Sequence, residues 1–270
     1  MSYFGFLLAF LVVPTALLLL FMRGTRQRGE PSKWRLASRA LGWAIAVQVL
    51  LAVTYTTPWD NYLVATGVWH YRPGAVTGIL LGYVPLEEYI FFVLEAIFVG
   101  AWWRLMAQSI SAGDRFLGST RLRIGACTAV AALWLASIAT LLSGWRPGVY
   151  LALILAWALP SILIQIAFGA DILWHYRRLI FAAILPVGIY LSLADAVAIA
   201  AGIWTIDPAQ STGIFIGGLP VEEAVFFFVT VILLTFGLTL SLAEESRSRF
   251  GAWIARMRRY SMLPGGRTIK

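Results

Sequence analysis

Two adjacent glutamates stand twice in this chain inside apolar runs, as PLEEYIFF at 85–92 and PVEEAVFF at 220–227, with the same spacing of proline, carboxylates and phenylalanines. A carboxyl pair in a low-dielectric surrounding does not readily ionise twice, because like charge and lost hydration both oppose it. Glu87 with Glu88, and Glu222 with Glu223, therefore offer a carboxylic acid beside a carboxylate, the combination that acid/base chemistry requires. In a helix, Phe91 and Phe92 fall one turn beyond Glu87 and Glu88, and Phe226 and Phe227 one turn beyond Glu222 and Glu223. Ring faces attract cations, so an acid, an aromatic wall and an apolar cavity point to protonation of an alkene and shelter of the resulting carbocation. The competing account is structural. Pro85 and Pro220 suit the first position of a helix, glutamates in a first turn are favoured by the helix dipole, and phenylalanine is ordinary packing material.

Other residues extend the set. Asp195 lies within an apolar helix and Asp60 near the end of one, and either can orient a glutamate by hydrogen bonding. Trp69 and Trp204 are candidates for the aromatic wall, although tryptophan also belongs in the belt at a membrane interface. Glu95 is seven residues from Glu88, on the same helical face, and its counterpart in the second run is Thr230.

The elements that position these groups are membrane helices. The chain has 270 residues, 60% hydrophobic and only 13% charged, against roughly 25% charged in a soluble domain. Apolar segments at about 3–22, 36–56, 79–103, 122–143, 149–169, 179–203 and 213–241 are each long enough to cross a hydrocarbon core of about 30 Å. The fold expected is an all-α integral membrane protein of seven transmembrane helices. The third and seventh segments are long enough to contain a kink or a separate entry element. The first segment has no basic leader and no small-residue cleavage site, so it is expected to be a retained helix.

Of the 21 Lys and Arg, all but Arg72 and Arg146 follow the first, third, fifth or seventh helix. The positive-inside rule then puts the N-terminus outside and the C-terminus in the cytoplasm of a multi-pass protein in the cell membrane. The net charge of +8 serves anionic headgroups at that interface, and nucleic acid is not an expected partner. Phe250, Trp253, Ile254 and Met257 recur at helical spacing among arginines, as in an interfacial amphipathic helix. The single cysteine, Cys127, reads as a small packed residue.

Shifting the sequence by 135 residues aligns positions 60–92 with 195–227 without a gap, and 14 of the 33 positions are identical. Pro14 and Pro160 extend the match upstream. The organisation expected is a three-helix repeat at 1–105, a linker helix at 106–146, a second three-helix repeat at 147–243 and a basic tail at 244–270. One extra crossing makes the repeats parallel, so both carboxylate pairs share one depth, on the order of 25 Å above the cytoplasmic boundary. The pairs Gly78/Gly82 and Gly213/Gly217 form G-x-x-x-G spacings and read as close helix contacts.

With only His70 and His175, a histidine-based metal centre has no candidate ligand cluster. The absence of G-x-G-x-x-G leaves a nucleotide-type flavin site unsupported, and the only lysines, Lys33 and Lys270, are not mid-helix as a retinal Schiff base demands. Neither a metal nor a cofactor is expected.

PWDNYLVATGVWHY followed by TGILLGYVPLEEYIFF, and DAVAIAAGIWTID followed by TGIFIGGLPVEEAVFF, resemble the lycopene cyclase domain, a family found as heterodimeric subunits and as fused forms. The resemblance covers both repeats. It implies redox-neutral, flavin-independent closure of the linear ψ-ends of lycopene to β-ionone rings, giving β-carotene through a monocyclic intermediate, with Glu87, Glu88, Glu222 and Glu223 acting jointly. It also implies a lipid-soluble carotenoid as substrate, membrane lipids as surroundings and other enzymes of carotenoid biosynthesis as candidate partners. A different class remains open at this level: a three-plus-one-plus-three arrangement of parallel repeats also resembles small SWEET-type sugar transporters or a proton-coupled carrier.

Overall fold

A computed structural model describes residues 1–26, 38–110 and 115–261. The basic stretch at 27–37, with Lys33, and the final nine residues, with Lys270, lie outside the described residues. Among the described residues, seven helices are long and apolar enough to cross a membrane. The first span comprises α1 (Tyr3–Leu7), a π-helical turn (Leu8–Val12) and α2 (Val13–Arg26). It is followed by α3 (Ser38–Ala65), α4 (Leu86–Ser109), α5 (Thr120–Leu142), α6 (Val149–His175), α7 (Arg177–Ala200) and α8 (Val221–Leu242), with α9 (Glu244–Ser261) after the last span. This is an all-α multi-pass membrane protein. α4 and α8, which carry the glutamates, are its most buried spans; α5 is its least buried and packs chiefly on α6.

The third and seventh spans begin later than hydropathy predicts, at Leu86 and Val221 instead of near 79 and 213. The apolar residues ahead of them form hairpins: β2 (Leu80–Leu81) pairs with β3 (Val84–Pro85), and β5 (Phe215–Ile216) with β6 (Leu219–Pro220). Gly82 at φ 72° and Gly217 at φ 64° turn these hairpins, a backbone region where a side chain is disfavoured. The G-x-x-x-G spacings therefore mark turns and not helix contacts, which corrects the expectation from sequence. Pro85 and Pro220 are the residues just before the helix and not its first residues, because each still belongs to its hairpin strand.

Two further strands join the halves of the chain. Ahead of β1 (Trp69–Tyr71) and β4 (Trp204–Ile206), α3 and α7 end in matching Schellman turns at Gly67 and Gly202. Val68 N–H donates to the Leu63 carbonyl at 2.9 Å and Ile203 N–H to that of Ala198 at 3.0 Å. β1 and β4 then pair antiparallel, His70 opposite Thr205, Trp69 opposite Ile206 and Tyr71 opposite Trp204. Alternation along the strands turns Trp69 and Trp204 inward and His70 and Thr205 outward.

Between helices, cohesion in hydrocarbon comes from close packing and hydrogen bonds, since lipid supplies no hydrophobic drive. Proline inside a helix leaves the carbonyl four residues earlier without its N–H partner. At three such sites a neighbouring helix supplies the donor. The Phe10 carbonyl before Pro14 accepts from Tyr190 Oη at 2.9 Å, that of Ala156 before Pro160 from Trp134 Nε1 at 3.2 Å, and that of Ala182 before Pro186 from Trp102 Nε1 at 3.0 Å.

At the end of the molecule opposite the hairpins, buried Asp171 accepts Arg249 Nη1 at 2.8 Å and Nη2 at 2.7 Å, and the Ser119 backbone N–H at 3.0 Å. This fork ties α9 to α6 and to the start of α5, while Phe250, Trp253 and Met257 of α9 stay exposed. Removing one partner of a buried ion pair costs about 3–5 kcal/mol, and a part-exposed guanidinium brings less. Arg249→Ala is expected to speed tryptic cleavage within α9 at Arg247 or Arg256 at least about tenfold in detergent-solubilised protein, with the spans left intact. A cleavage rate within twofold of the parent would show that the fork does not hold α9.

Candidate active site

The two glutamates of each pair diverge. Adjacent helical residues point about 100° apart, and the structure uses each direction differently. Glu87 Oε1 accepts the Thr77 backbone N–H at 2.6 Å, and Glu222 Oε1 accepts Thr212 N–H at 2.6 Å and Thr212 Oγ1 at 2.7 Å. These first glutamates pin the loops that precede the hairpins. Among the described residues neither caps its own helix by a side-chain hydrogen bond, so the structural account of the pair holds for position in the first turn and not for the partner. Glu88 and Glu223 turn instead toward a common, tightly packed chamber of about 20 Å³, lined also by Asp195, Tyr3, Tyr71, Trp69, Trp204, Phe91, Phe226 and Phe227.

Both chamber glutamates are buried, Glu88 at 6% and Glu223 at 2% exposure. Tyr3 Oη donates to Glu88 Oε2 at 2.5 Å and Tyr150 Oη to Glu223 Oε1 at 2.5 Å. These tyrosines begin α1 and α6, and their own backbone N–H groups are held alike, Tyr3 on the Ala75 carbonyl and Tyr150 on that of Gln210. Tyr3 and Tyr150 are the functional-site residues that sequence reasoning passed over. The signal was present: Tyr3 stands 11 residues before Pro14 and Tyr150 stands 10 before Pro160, and the π-helical turn at Leu8–Val12 absorbs the difference.

The two sides of the chamber are unequal. Tyr71 Oη adds a second bond to Glu88 Oε2 at 3.1 Å, whereas Ile206 occupies the matching position in β4. Burial, reinforced by the adjacent Glu88 charge, pushes the Tyr71 phenol well above its usual range, so it acts as a donor and not a base. Asp195 lies close to Glu223 and is fixed by Trp204 Nε1, which donates to Oδ1 at 2.9 Å, while its Oδ2 has no hydrogen-bond partner among the described residues. Asp60 is fully buried near Glu88, yet among the described residues neither of its oxygens has a hydrogen-bond partner, nor has Trp69 Nε1.

The aromatic residues named from sequence divide between two spaces. Phe91 and Phe227 meet edge to face at 6.0 Å between ring centres, and Phe226 and Phe227 at 5.2 Å, forming the chamber floor. Phe92 faces away, into a second cavity whose wall includes Phe226 and Glu95. Glu95 accepts Thr230 Oγ1 at 2.6 Å across the α4–α8 contact. It therefore does not enlarge the carboxyl cluster at the chamber.

Such a chamber gathers two carboxyl groups and several ring faces, which together can donate a proton, accept one and stabilise positive charge.

The lycopene cyclase family model matches residues 2–106 and 147–240, leaving α5 between the two matched segments. A lycopene beta-cyclase of Halobacterium salinarum (strain R1) is 38% identical over 239 residues, 88% of this chain and 95% of that protein. A bifunctional lycopene cyclase/phytoene synthase of Aspergillus niger is 32% identical over 202 residues, 72% of this chain and 34% of the fungal protein. One of Leptosphaeria maculans is 32% identical over 213 residues, 72% of this chain and 35% of its own length. No solved structure matches the chain. The comparisons lend nothing to the transporter alternative; by the extent of the family match and the identity to the archaeal cyclase, the chain belongs to the lycopene cyclase family.

Proposed function

We propose that the protein closes the two ψ-ends of lycopene, in turn, into β-ionone rings, without change of oxidation state. The observation that carries this reading is that Glu88 and Glu223 face one aromatic chamber from opposite halves of the chain. One carboxylic acid donates its proton to the terminal double bond, leaving a tertiary cation. The next double bond along the folded chain attacks the cation through its far carbon, closing the six-membered ring and moving the charge onto the ring carbon at its near end. A carboxylate then removes the neighbouring ring proton, and the electron pair left behind forms the ring alkene. Atoms and charge balance: one proton enters, one leaves.

The residues have separable parts in this scheme. Glu88 and Glu223 are the donor and acceptor pair, with the two roles assigned to them jointly. Tyr3, Tyr71 and Tyr150 are positioning residues that hold the carboxyl oxygens, and Phe91, Phe226 and Phe227 with Trp69 and Trp204 shelter the cation. After a turnover the proton has changed carboxyls. The Asp195–Glu223 contact and the unpartnered Asp60 beside Glu88 offer short internal steps for its return. Glu87 and Glu222 set loop geometry.

The same reading takes the chain as a duplicated three-helix unit with α5 as linker, supported by hydrogen bonds that recur in both halves, Tyr3 to Glu88 with Tyr150 to Glu223 and Tyr190 to Phe10 with Tyr55 to the Trp157 carbonyl. It places the hairpins and N-terminus outside the cell membrane and α9 on the cytoplasmic surface, consistent with the distribution of arginines. Membrane lipids surround it, and the enzymes that supply the linear carotenoid are its candidate partners.

Expression in a lycopene-accumulating bacterium, followed by pigment chromatography, tests the function. β-Carotene should accumulate, preceded in a time course by a monocyclic intermediate, and unchanged lycopene with membrane-inserted protein would refute the reading. Glu88→Gln and Glu223→Gln should each lower ring formation at least about a hundredfold, whereas Glu87→Gln and Glu222→Gln should act mainly by loosening the loops and lower it less. Equal losses at all four positions would return the assignment to the pairs as wholes. Loss of one hydrogen bond to a charged group corresponds to roughly 1.5–3 kcal/mol. Tyr150→Phe should therefore slow cyclisation at least about tenfold at unchanged protein level and shift its pH profile; a rate loss with the profile unmoved would mean that Tyr150 serves packing alone.

A further inference from the structure

Beside the acid chamber, a second and larger cavity of about 170 Å³ lies between α3 and α6, over the faces of α4 and α8. Phe226 lines both cavities, so one ring separates them. On its outer side the cavity is bounded by Leu51 and Tyr55, which are 53% and 41% exposed on the lipid-facing surface of α3. α3 and α6 are joined there by side chains reaching across to backbone: Tyr55 Oη donates to the Trp157 carbonyl at 2.7 Å and Trp59 Nε1 to that of Leu153 at 3.0 Å. A side-chain clasp of this kind can open without unravelling a helix.

Trp157 and Phe226 stand on the cavity wall, and Trp59, which does not line the cavity, stacks on both: ring centres lie 4.6 Å from Trp157 with planes 19° from parallel, and 5.8 Å from Phe226 with planes 11° from parallel. This filled stack braces the aromatic side of the wall, whose ring Phe226 also borders the chamber of Glu88 and Glu223. Leu51, Leu233 and Leu234 supply apolar lining, with Gln48, Glu95 and Gln165 among the polar groups. A forty-carbon polyene is about 30 Å long, more than a cavity of this volume takes in, so a chain seated here would extend past Leu51 into the bilayer.

We infer that the cavity between α3 and α6 is the lateral doorway and seat of the substrate's polyene chain, through which one end at a time reaches the acid chamber past Phe226. The inference rests on the cyclase reading of the chamber. It assigns Ala52, which lines the cavity, to the path of the chain, and it accounts for sequential ring closure, since the chain must withdraw into the bilayer and reverse before its second end can enter.

Cys127 is the single cysteine of the chain, which permits a reversible block. An Ala52→Cys protein carrying Cys127→Ser, in liposomes loaded with lycopene, is modified by benzyl methanethiosulfonate and later released with dithiothreitol. Within this one protein, ring formation is expected to fall at least about tenfold on modification and to return on reduction, which excludes misfolding as the cause. Lycopene is also expected to slow the modification itself, a readout independent of turnover. Cyclisation at an unaltered rate after complete modification would overturn the doorway, as would protection by lycopene-free liposomes equal to that by loaded ones, which marks a cavity filled by lipid acyl chains only. If lycopene slows the modification but no ring product forms before the block, the doorway stands and the cyclase reading fails.

Discussion

Carboxyl groups buried in hydrocarbon must be supplied with donors by the protein itself, and the arrangement of this molecule follows from that need. Tyr3 and Tyr150 reach Glu88 and Glu223 from the starts of α1 and α6, so these helices must begin where α4 and α8 begin. The loops ahead of the hairpins turn back far enough for Thr77 and Thr212 to meet Glu87 and Glu222. The β1–β4 ladder draws both loops together and sets two indoles over the enclosed space. Each feature serves the burial of carboxyl groups at one end of the bundle.

Helix cohesion obeys a related rule. Prolines 14, 160 and 186 each free a carbonyl that lipid cannot satisfy, and an indole or phenol from a neighbouring helix takes it. What looks in isolation like a helix defect becomes a fixed contact point between helices. Since hydrocarbon gives helices little reason to associate beyond packing and such bonds, these contacts help to determine which spans are neighbours.

Hydropathy made the seven spans readable, because a run of about 20 apolar residues has few other uses. The hairpins were hidden by the same signal: ILLGYVP and IFIGGLP are as apolar as the helices they precede, and Gly78/Gly82 imitated a helix-packing motif. Positive φ at those glycines, which composition does not reveal, decided for turns. The glutamates, aspartates and tryptophans stood out because charge and repetition are conspicuous in an apolar chain. Tyr3 and Tyr150 did not, since a tyrosine near a membrane interface is ordinary, and their kinship is disguised by one inserted residue. The divergence of Glu87 from Glu88 was implicit in the helical rotation between neighbours, but only the partners, Thr77 for one and Tyr3 for the other, show which direction faces the chamber.

The repeat-related positions of the site are not equivalent: Tyr71 corresponds to Ile206, and Asp195 is held by Trp204 where Asp60 has no partner among the described residues. A chamber with true two-fold symmetry would accept a bound chain end in two equivalent poses, and either carboxyl would meet either face of the reacting alkene. With a second phenol on Glu88 and an aspartate at Glu223, those poses differ in energy. The departure from symmetry thus breaks a degeneracy: to anything held between them the two carboxyls are different groups, and the chamber acquires a handedness.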